Sequence, residues 1–327
     1  MIFSLAITGP TASGKTSLSL SLAERLSGEI ISCDSMQIYK GMDIGTAKAT
    51  DDERGRIPHH LIDIVPPSEN FSAFRYRECA IECARDISSR SRTPIFVGGT
   101  GLYVSTLMRA PGSAVPEASP EYRQKILENI RSEEDIDALW QRLSSVDPDS
   151  AEKIHKNNIK RVIRALEIYD STGITKTELD RRSMEPAAEI FVGMITLDFH
   201  KRDTLYSRID KRVDIMMREG LLNEVSQLYS EGRIPDGTTA SQAIGYKEII
   251  SHLKGECALS EAVEKIKLSS RRYAKRQLTW FRNTEGACTL YMDDLAGNMR
   301  PHHEVLAEAV SFAERFKIEY LGKNNEK

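Results

Sequence analysis

Eight residues near the N-terminus, Gly9, Pro10, Thr11, Ala12, Ser13, Gly14, Lys15 and Thr16, most constrain what this chain can fold into. They match G-x-x-x-x-G-K-[ST], and the context that gives such a match meaning is present on both sides. An apolar, strand-like run from Ile2 to Ile7 leads in. Leu18, Leu22 and Leu26 then recur every fourth residue, the core stripe of a helix beginning at Lys15. In that setting successive backbone N–H groups converge on phosphate oxygens, and the helix N-terminus adds the positive end of its dipole. Lys15 is placed to reach the terminal phosphates and the Thr16 hydroxyl to ligate Mg²⁺. The loop does not say whose phosphates it holds.

Two more segments repeat the same grammar of a short β-rich run ending in polar or glycine residues: Glu29–Cys33 into Asp34 and Ser35, and Pro94–Val97 into Gly98, Gly99 and Thr100. Helical patterns separate them, which predicts βαβ units and a parallel sheet. In such sheets the ligand site lies beyond the carboxyl ends of the strands, so Lys15, Asp34 and Thr100 are expected to converge. A Pro/Ala/Ser/Gly-rich connector follows around residues 111–120, then helical patterning from Glu121 to Tyr169, then a return to strand over Glu189–Phe199. The fold class expected is α/β: a P-loop NTPase-like parallel sheet flanked by helices, built from residues 1–112 and 189–327, with an all-helical subdomain inserted over 113–188. Helices are expected over Thr204–Glu231, Ser241–Leu253 and Leu259–Arg282, a short strand over Thr289–Met292, and disorder only at the Asn/Lys-rich end.

The 327 residues are 40% hydrophobic and 28% charged, an ordinary globular balance. No apolar run approaches the ~20 residues of a membrane span. A strand starting at residue 2 leaves no room for a leader, and the five cysteines include no C-x-x-C pair, so reducing cytoplasm is expected and structural zinc is not. Net charge is −3, yet Lys265 to Arg282 carries seven cations, no acid, and interleaved Tyr273, Trp280 and Phe281. A second stripe, Lys153, Lys156, Lys160 and Arg164, falls at helical steps and reads as one basic helix face. Local basic surfaces on an acidic chain suit a polyanion bound at one place, although solvated helix faces explain either stripe alone.

Asp34, at a strand end, suits a general base or an outer Mg²⁺ ligand; a turn or N-cap aspartate before a helix-compatible stretch is the plainer reading. Thr100 suits positioning of a substrate amine or a helix cap. Arg208 and Arg212, four apart, leave one helix face opposite Leu205, Ile209 and Val213. Facing the phosphate loop they form a diphosphate clamp; otherwise Asp210 and Asp214 pair on a solvated surface. His59 and His60 point to opposite sides of an extended segment, which makes them structural or substrate-lining rather than joint metal ligands.

Together these residues resemble the tRNA dimethylallyltransferases, also called tRNA isopentenyltransferases. The stretches that carry the resemblance are GPTASGKT (Gly9–Thr16), DSMQIYKGMDIGTAK (Asp34–Lys48), PHHLID (Pro58–Asp63) and VGGTGLY (Val97–Tyr103). Further on come RVIRALEIY (Arg161–Tyr169), RIDKRVDIMMREGL (Arg208–Leu221), QAIGYKE (Gln242–Glu248) and KRQLTWFR (Lys275–Arg282). The resemblance implies transfer of a dimethylallyl group from dimethylallyl diphosphate to N6 of the adenosine 3′ of the anticodon, with Mg²⁺, in the cytoplasm, by a monomer. It replaces ATP in the loop by the donor's diphosphate, held by Gly9–Thr16 and Arg208. It implies Asp34 as base, Thr100 positioning the adenine, and Lys15 and Arg212 neutralising the leaving group. For the tRNA anticodon stem-loop it implies contacts from Asp34, Ser35, Met36, Gln37, Thr100, Arg123, Lys160, Arg161, Arg164, Gln242, Gly245, Tyr246, Lys247, Lys275, Arg276, Gln277, Trp280 and Arg282, with the target base flipped into a channel.

Three rivals stand beside it. A P-loop small-molecule kinase accounts for Lys15, Thr16 and Asp34 but not for the basic C-terminal helix. An adenylate isopentenyltransferase acting on AMP needs no helical insertion. A non-catalytic RNA-binding module leaves the strand-end Asp and Thr unexplained.

Overall fold

In the computed structural model, which describes residues 1–109, 119–182, 187 and 189–325, the N-terminal run forms β1 (Ile2–Thr8) and the phosphate loop passes directly into α1 (Lys15–Leu26). There follow β2 (Gly28–Ser32), α2 (Asp51–Arg56), β3 (His59–His60), α3 (Ala73–Ser89), β4 (Thr93–Gly98) and α4 (Gly101–Met108). The middle is helical: α5 (Pro120–Asn129), α6 (Glu133–Val146), α7 (Pro148–Lys153), α8 (Ile159–Thr172) and α9 (Lys176–Arg182). The chain then returns through β5 (Ile190–Asp198), α10 (Arg202–Glu219), α11 (Leu221–Ser230), α12 (Tyr246–Leu253), α13 (Leu259–Arg282), β6 (Cys288–Tyr291) and α14 (His302–Asn325). The Asn/Lys-rich end, where disorder was expected, continues α14 as far as Asn325, and the last two residues lie outside the described residues.

The strands form one parallel sheet in the order β3-β2-β4-β1-β5-β6. Its register pairs Thr8 with Gly98 and Ser32 with Val97, so β1, β2 and β4 end on one edge. That edge carries the three turns the strand pattern singled out. Alternate β1 side chains Leu5 and Ile7 are fully buried with Leu18 and Leu22 of α1, Leu205 and Ile209 of α10, and Ala274 and Leu278 of α13. Each such leucine contributes about 1.5–3 kcal/mol by leaving water, which fixes α1, and with it the phosphate loop, against the sheet.

A second core lies under residues 36–47: Ile38, Tyr39 and Met42 pack with Val213, Leu221, Val225, Tyr246 and Ile249. The stretch after Asp34, expected to suit a helix, is a chain of turns. Its shape is set from outside. The Glu224 carboxylate accepts hydrogen bonds from the backbone N–H groups of Asp43 (2.9 Å), Ile44 (2.7 Å) and Gly45 (3.2 Å) and from the Tyr246 hydroxyl (2.5 Å). The buried Lys48 ammonium donates to the Tyr39 carbonyl (2.6 Å), to Asp43 (2.7 Å) and to Asp63. The helix expected over Thr204–Glu231 is two helices, because Gly220 (φ 104°) ends α10 in the left-handed conformation that glycine adopts without strain.

The chain separates into Met1–Leu107 with Glu189–Lys327, and Met108–Ala188. The boundary expected near residue 113 falls outside the described residues. Within the smaller unit Leu143, Ala151, Ile154, Val162, Ala165 and Leu166 form the core, with Trp140 against it. The Lys153-to-Arg164 stripe does not lie on one helix. Lys153 ends α7, Lys156 falls in the break and pairs with Asp137 (2.5 Å), and only Lys160 and Arg164 lie on α8. Asn157 and Asn158, poor helix formers, occupy the break, and Asn158 takes the N-cap position.

Candidate active site

The phosphate loop folds where three residues leave ordinary backbone space: Gly9 (φ 141°), Ala12 (φ 62°) and Gly14 (φ 96°). A β-carbon on Gly9 would stand 2.8 Å from the Leu197 carbonyl oxygen, so the loop starts as close to β5 as backbone allows. Lys15 is folded back, its ammonium donating to the carbonyls of Gly9 (3.0 Å) and Pro10 (2.7 Å). Burial, with the Arg212 guanidinium nearby, lowers its pKa to about 7, against a smaller opposing pull from Asp34. The Ser13 hydroxyl is buried in the loop with no hydrogen-bond partner among the described residues. It is an unfilled donor where a phosphate oxygen would fit.

Arg208 and Arg212 of α10 do turn to this loop. Arg208 Nε donates to the Ala12 carbonyl (2.9 Å), and both arginines line a cavity of about 530 Å³ with Gly14, Lys15 and Thr16. Burial lowers the pKa of each guanidinium below its usual value, with Asp34 opposing at Arg212. Asp210 and Asp214, by contrast, pair with Arg271 and Lys267 of α13, at 2.5 Å and 2.8 Å. The arginines thus have the placement that the clamp reading asks for, while the two aspartates pair with α13 instead of with them.

Asp34 and Thr100 meet across the sheet edge. Thr100 Oγ1 accepts from the Ser35 N–H (3.0 Å) and donates to the Ser35 hydroxyl (3.2 Å), while its carbonyl accepts from Tyr103 N–H (2.9 Å) at the start of α4. Asp34 Oδ1 accepts from the Met36 N–H (2.9 Å), a turn bond that leaves Oδ2 with no described protein donor. Gln37 is held by Ser32 Oγ (2.9 Å) and by the carbonyls of Thr46 and Ala47 (both 3.3 Å). A second cavity, about 460 Å³, is lined by Met36, Val213, Gln242, Gly245, Lys247 and Arg272, among others. The two cavities share Thr11, Asp34, Thr46, Arg212 and Tyr273 in their walls. Tyr273 shares these walls with Asp34 and donates to the Gly99 carbonyl (3.5 Å), and burial together with the Asp34 charge pushes its hydroxyl up to about 12.

Several residues expected at an RNA surface are bonded within the protein, two of them buried, while Arg282 stays exposed. Tyr246 is fully buried, its hydroxyl spent on Glu224 and its ring against Gly45, where a β-carbon would come within 2.4 Å. Gln277 is buried between the phosphate loop and the Gly99 turn. Arg282 grips the buried Asp198 with two bonds, 2.7 and 2.9 Å. Within the helical unit, Arg123 and Arg164 converge on the buried Glu167, at 2.9 and 2.6 Å. Lys160, Arg161, Gln242, Lys247, Lys275, Arg276 and Trp280 are exposed. Of the histidines, His60 bonds the buried Glu29 (2.7 Å), and His59, its Nδ1 on the Ile57 carbonyl (2.7 Å), lines the larger cavity. Glu224 and Lys48, which shape the Asp34 segment, carry no local signal of that role.

Residues 37–284 match the family model described as IPP transferase. The chain is 47% identical over 289 residues to a tRNA dimethylallyltransferase of Thermoanaerobacter sp. (strain X514), covering 88% of this chain and 91% of that one. It is also similar to the crystal structure of the full-length tRNA isopentenylpyrophosphate transferase of Bacillus halodurans, with a TM-score of 0.69 and 42% identity over 98% of this chain and 100% of that one. A eukaryotic dimethylallyltransferase acting on tRNA matches with a TM-score of 0.75 and 33% identity, over 90% and 75% of the two chains. With a parallel sheet whose shared edge gathers the phosphate loop, Asp34 and Thr100, and with relatives this similar along most of its length, the chain belongs to the IPP transferase family.

Proposed function

We propose that the chain transfers a dimethylallyl group from dimethylallyl diphosphate to N6 of the adenosine 3′ of the anticodon in tRNA, releasing diphosphate. One observation carries the reading: Asp34 stands in the wall common to a cation-lined phosphate cavity and a second cavity. Two substrates can therefore meet at one carboxylate. The exocyclic N6 is a weak nucleophile because its lone pair is delocalised into the ring. As the N6–C1 bond forms and the allylic C1–O bond breaks, Asp34 takes the N6 proton and the bonding pair leaves with the diphosphate. Lys15, Arg208, Arg212 and the loop N–H groups stabilise that leaving charge. Thr100, anchored on Ser35, orients the adenine.

Among the described residues no cluster of three His, Cys, Asp or Glu side chains could cage a metal ion. The exposed Thr16 hydroxyl beside the loop fits Mg²⁺, which shares its coordination with phosphate oxygens and water. Bound there it would neutralise donor charge. Unpaired loop RNA is the natural acceptor, because extruding a base costs least where pairing is absent. Exposed Lys275, Arg276 and Trp280 on α13 supply cations and a stacking surface for it; within the helical unit by itself, Lys160 and Arg161 are exposed cations. Among the described residues no helix is long and apolar enough to cross a membrane.

The test is incubation with Mg²⁺, labelled dimethylallyl diphosphate and either an anticodon stem-loop or AMP. Label should enter the stem-loop. Label entering only AMP, or ATP hydrolysis without prenyl transfer, overturns the proposal.

A further inference from the structure

We infer that Gln277 is a positioning residue that sets the distance between the diphosphate loop and the Asp34–Thr100 pair, rather than an RNA contact; the inference rests on the prenyl-transfer reading of this site. Gln277 leaves the buried face of α13 and is 5% exposed. Its Oε1 accepts from the Thr11 N–H at 2.9 Å, and its Nε2 donates to the Gly99 carbonyl at 2.9 Å. An N–H on one side and a carbonyl on the other leave the amide one orientation. Among the described residues no other hydrogen bond ties residues 10–14 to residues 99–101. A β-carbon on Gly99 would lie 2.1 Å from Gln277 Nε2, so that glycine is the space the amide occupies.

The consequence runs through named bonds. Thr11 lines both cavities and belongs to the loop that would grip the diphosphate. Gly99 is followed by Thr100, which holds Ser35 by two hydrogen bonds, next to Asp34. A connected path thus leads from Thr11 through Gln277, Gly99, Thr100 and Ser35 to Asp34. The leaving group is bound at one end of it and the proton acceptor sits at the other. In-line displacement needs both at fixed separation, and an error of about 1 Å in such a placement costs roughly 100-fold in rate. The two nearest replacements do not reproduce it, because asparagine is one methylene shorter and glutamate lacks the donor.

Three variants test it, each with single-turnover transfer to an anticodon stem-loop, donor KM, RNA affinity and thermal melting. Gln277→Ala should lower kcat about 100-fold and weaken inorganic diphosphate binding roughly tenfold, with stem-loop Kd changed less than about twofold. Gln277→Glu keeps an acceptor for Thr11 but sets an oxygen against the Gly99 carbonyl. It should restore diphosphate affinity while leaving kcat low, a split that general loss of fold would not give. Gly99→Ala, which displaces the amide, should reproduce the kcat loss. The inference fails if Gln277→Ala keeps kcat within about threefold of the parent, or if it weakens stem-loop binding about tenfold with kcat unchanged. Wild-type protein runs alongside: its failure to prenylate the stem-loop sinks the functional reading instead, and diphosphate affinity of the Ala and Glu variants then still decides whether the amide sets the loop.

Discussion

Donor binding should take up a proton at Lys15. In the ligand-free site the ammonium is folded onto the Gly9 and Pro10 carbonyls near Arg212, and burial with that neighbouring charge lowers its pKa from 10.5 to about 7. At pH 8 only about one-tenth of the molecules then carry the charge that a diphosphate requires, so binding draws in about 0.9 proton. Above pH 7 the affinity should fall up to about tenfold per pH unit, or about 1.4 kcal/mol, a ceiling because a half-buried ammonium keeps some contact with water. Calorimetry of dimethylallyl diphosphate without acceptor, in two buffers of different ionisation enthalpy at pH 6 and pH 8, measures the uptake. Lys15→Arg, whose guanidinium stays charged, is the reference, since the donor's own titration cancels in the difference. Equal uptake in the two proteins at pH 8 would refute the argument. The sign for stability is fixed by the same shift: the folded pKa lies below the unfolded one, so the ligand-free fold gains stability as pH rises from about 7 towards 10.5 and loses it as pH falls back through 7.

Other expectations are more direct. Asp34→Asn keeps the Met36 turn bond and should retain donor binding while losing about 10²–10⁴ in single-turnover rate. Replacing Lys275 and Arg276 together by Ala should reduce the slope of log affinity against log salt for a single-stranded RNA loop by about 1.4, read by titration at several salt concentrations. Arg282→Ala should instead act on the fold, because among the described residues it leaves the buried Asp198 carboxylate with the Phe199 N–H alone; a loss of about 2–3 kcal/mol by denaturant unfolding is expected, with a smaller change in salt slope.

What was legible in the chain was what local pattern controls. The phosphate loop announces itself because strand, glycines and helix are contiguous, and the positions of Asp34 and Thr100 followed from strand ends in a parallel sheet. What was not legible depends on partners far away. Gln277 meets Thr11 across 266 positions, and nothing near either residue marks the contact. Tyr246 enters as an RNA contact only through the family resemblance, yet its place is fixed by Glu224 and Gly45. The turns after Asp34 have helix-compatible composition and are shaped by Glu224 and Lys48 instead. The basic stripe from Lys153 was misread for a local reason: its spacing fits a helix, but Asn157 and Asn158 interrupt it.

The stretch Gly98-Gly99-Thr100-Gly101 has a meaning for anyone mapping this protein by exhaustive substitution. A β-carbon would meet the Cys33 backbone at 2.3 Å from Gly98, the Gln277 amide at 2.1 Å from Gly99, and the Trp280 ring at 2.5 Å from Gly101. Three of the four positions are therefore intolerant for want of clearance, each towards a different neighbour. Only Thr100 has a functional group to lose. A fitness profile would show one uninterrupted block of sensitivity, and reading it as a catalytic motif would credit three positions with chemistry they do not perform. Rates measured on folded protein separate the kinds: Gly98 variants should fail in yield and melting temperature, while Thr100 variants should lose turnover even in the fraction that folds, with a smaller loss of stability from the Ser35 bonds.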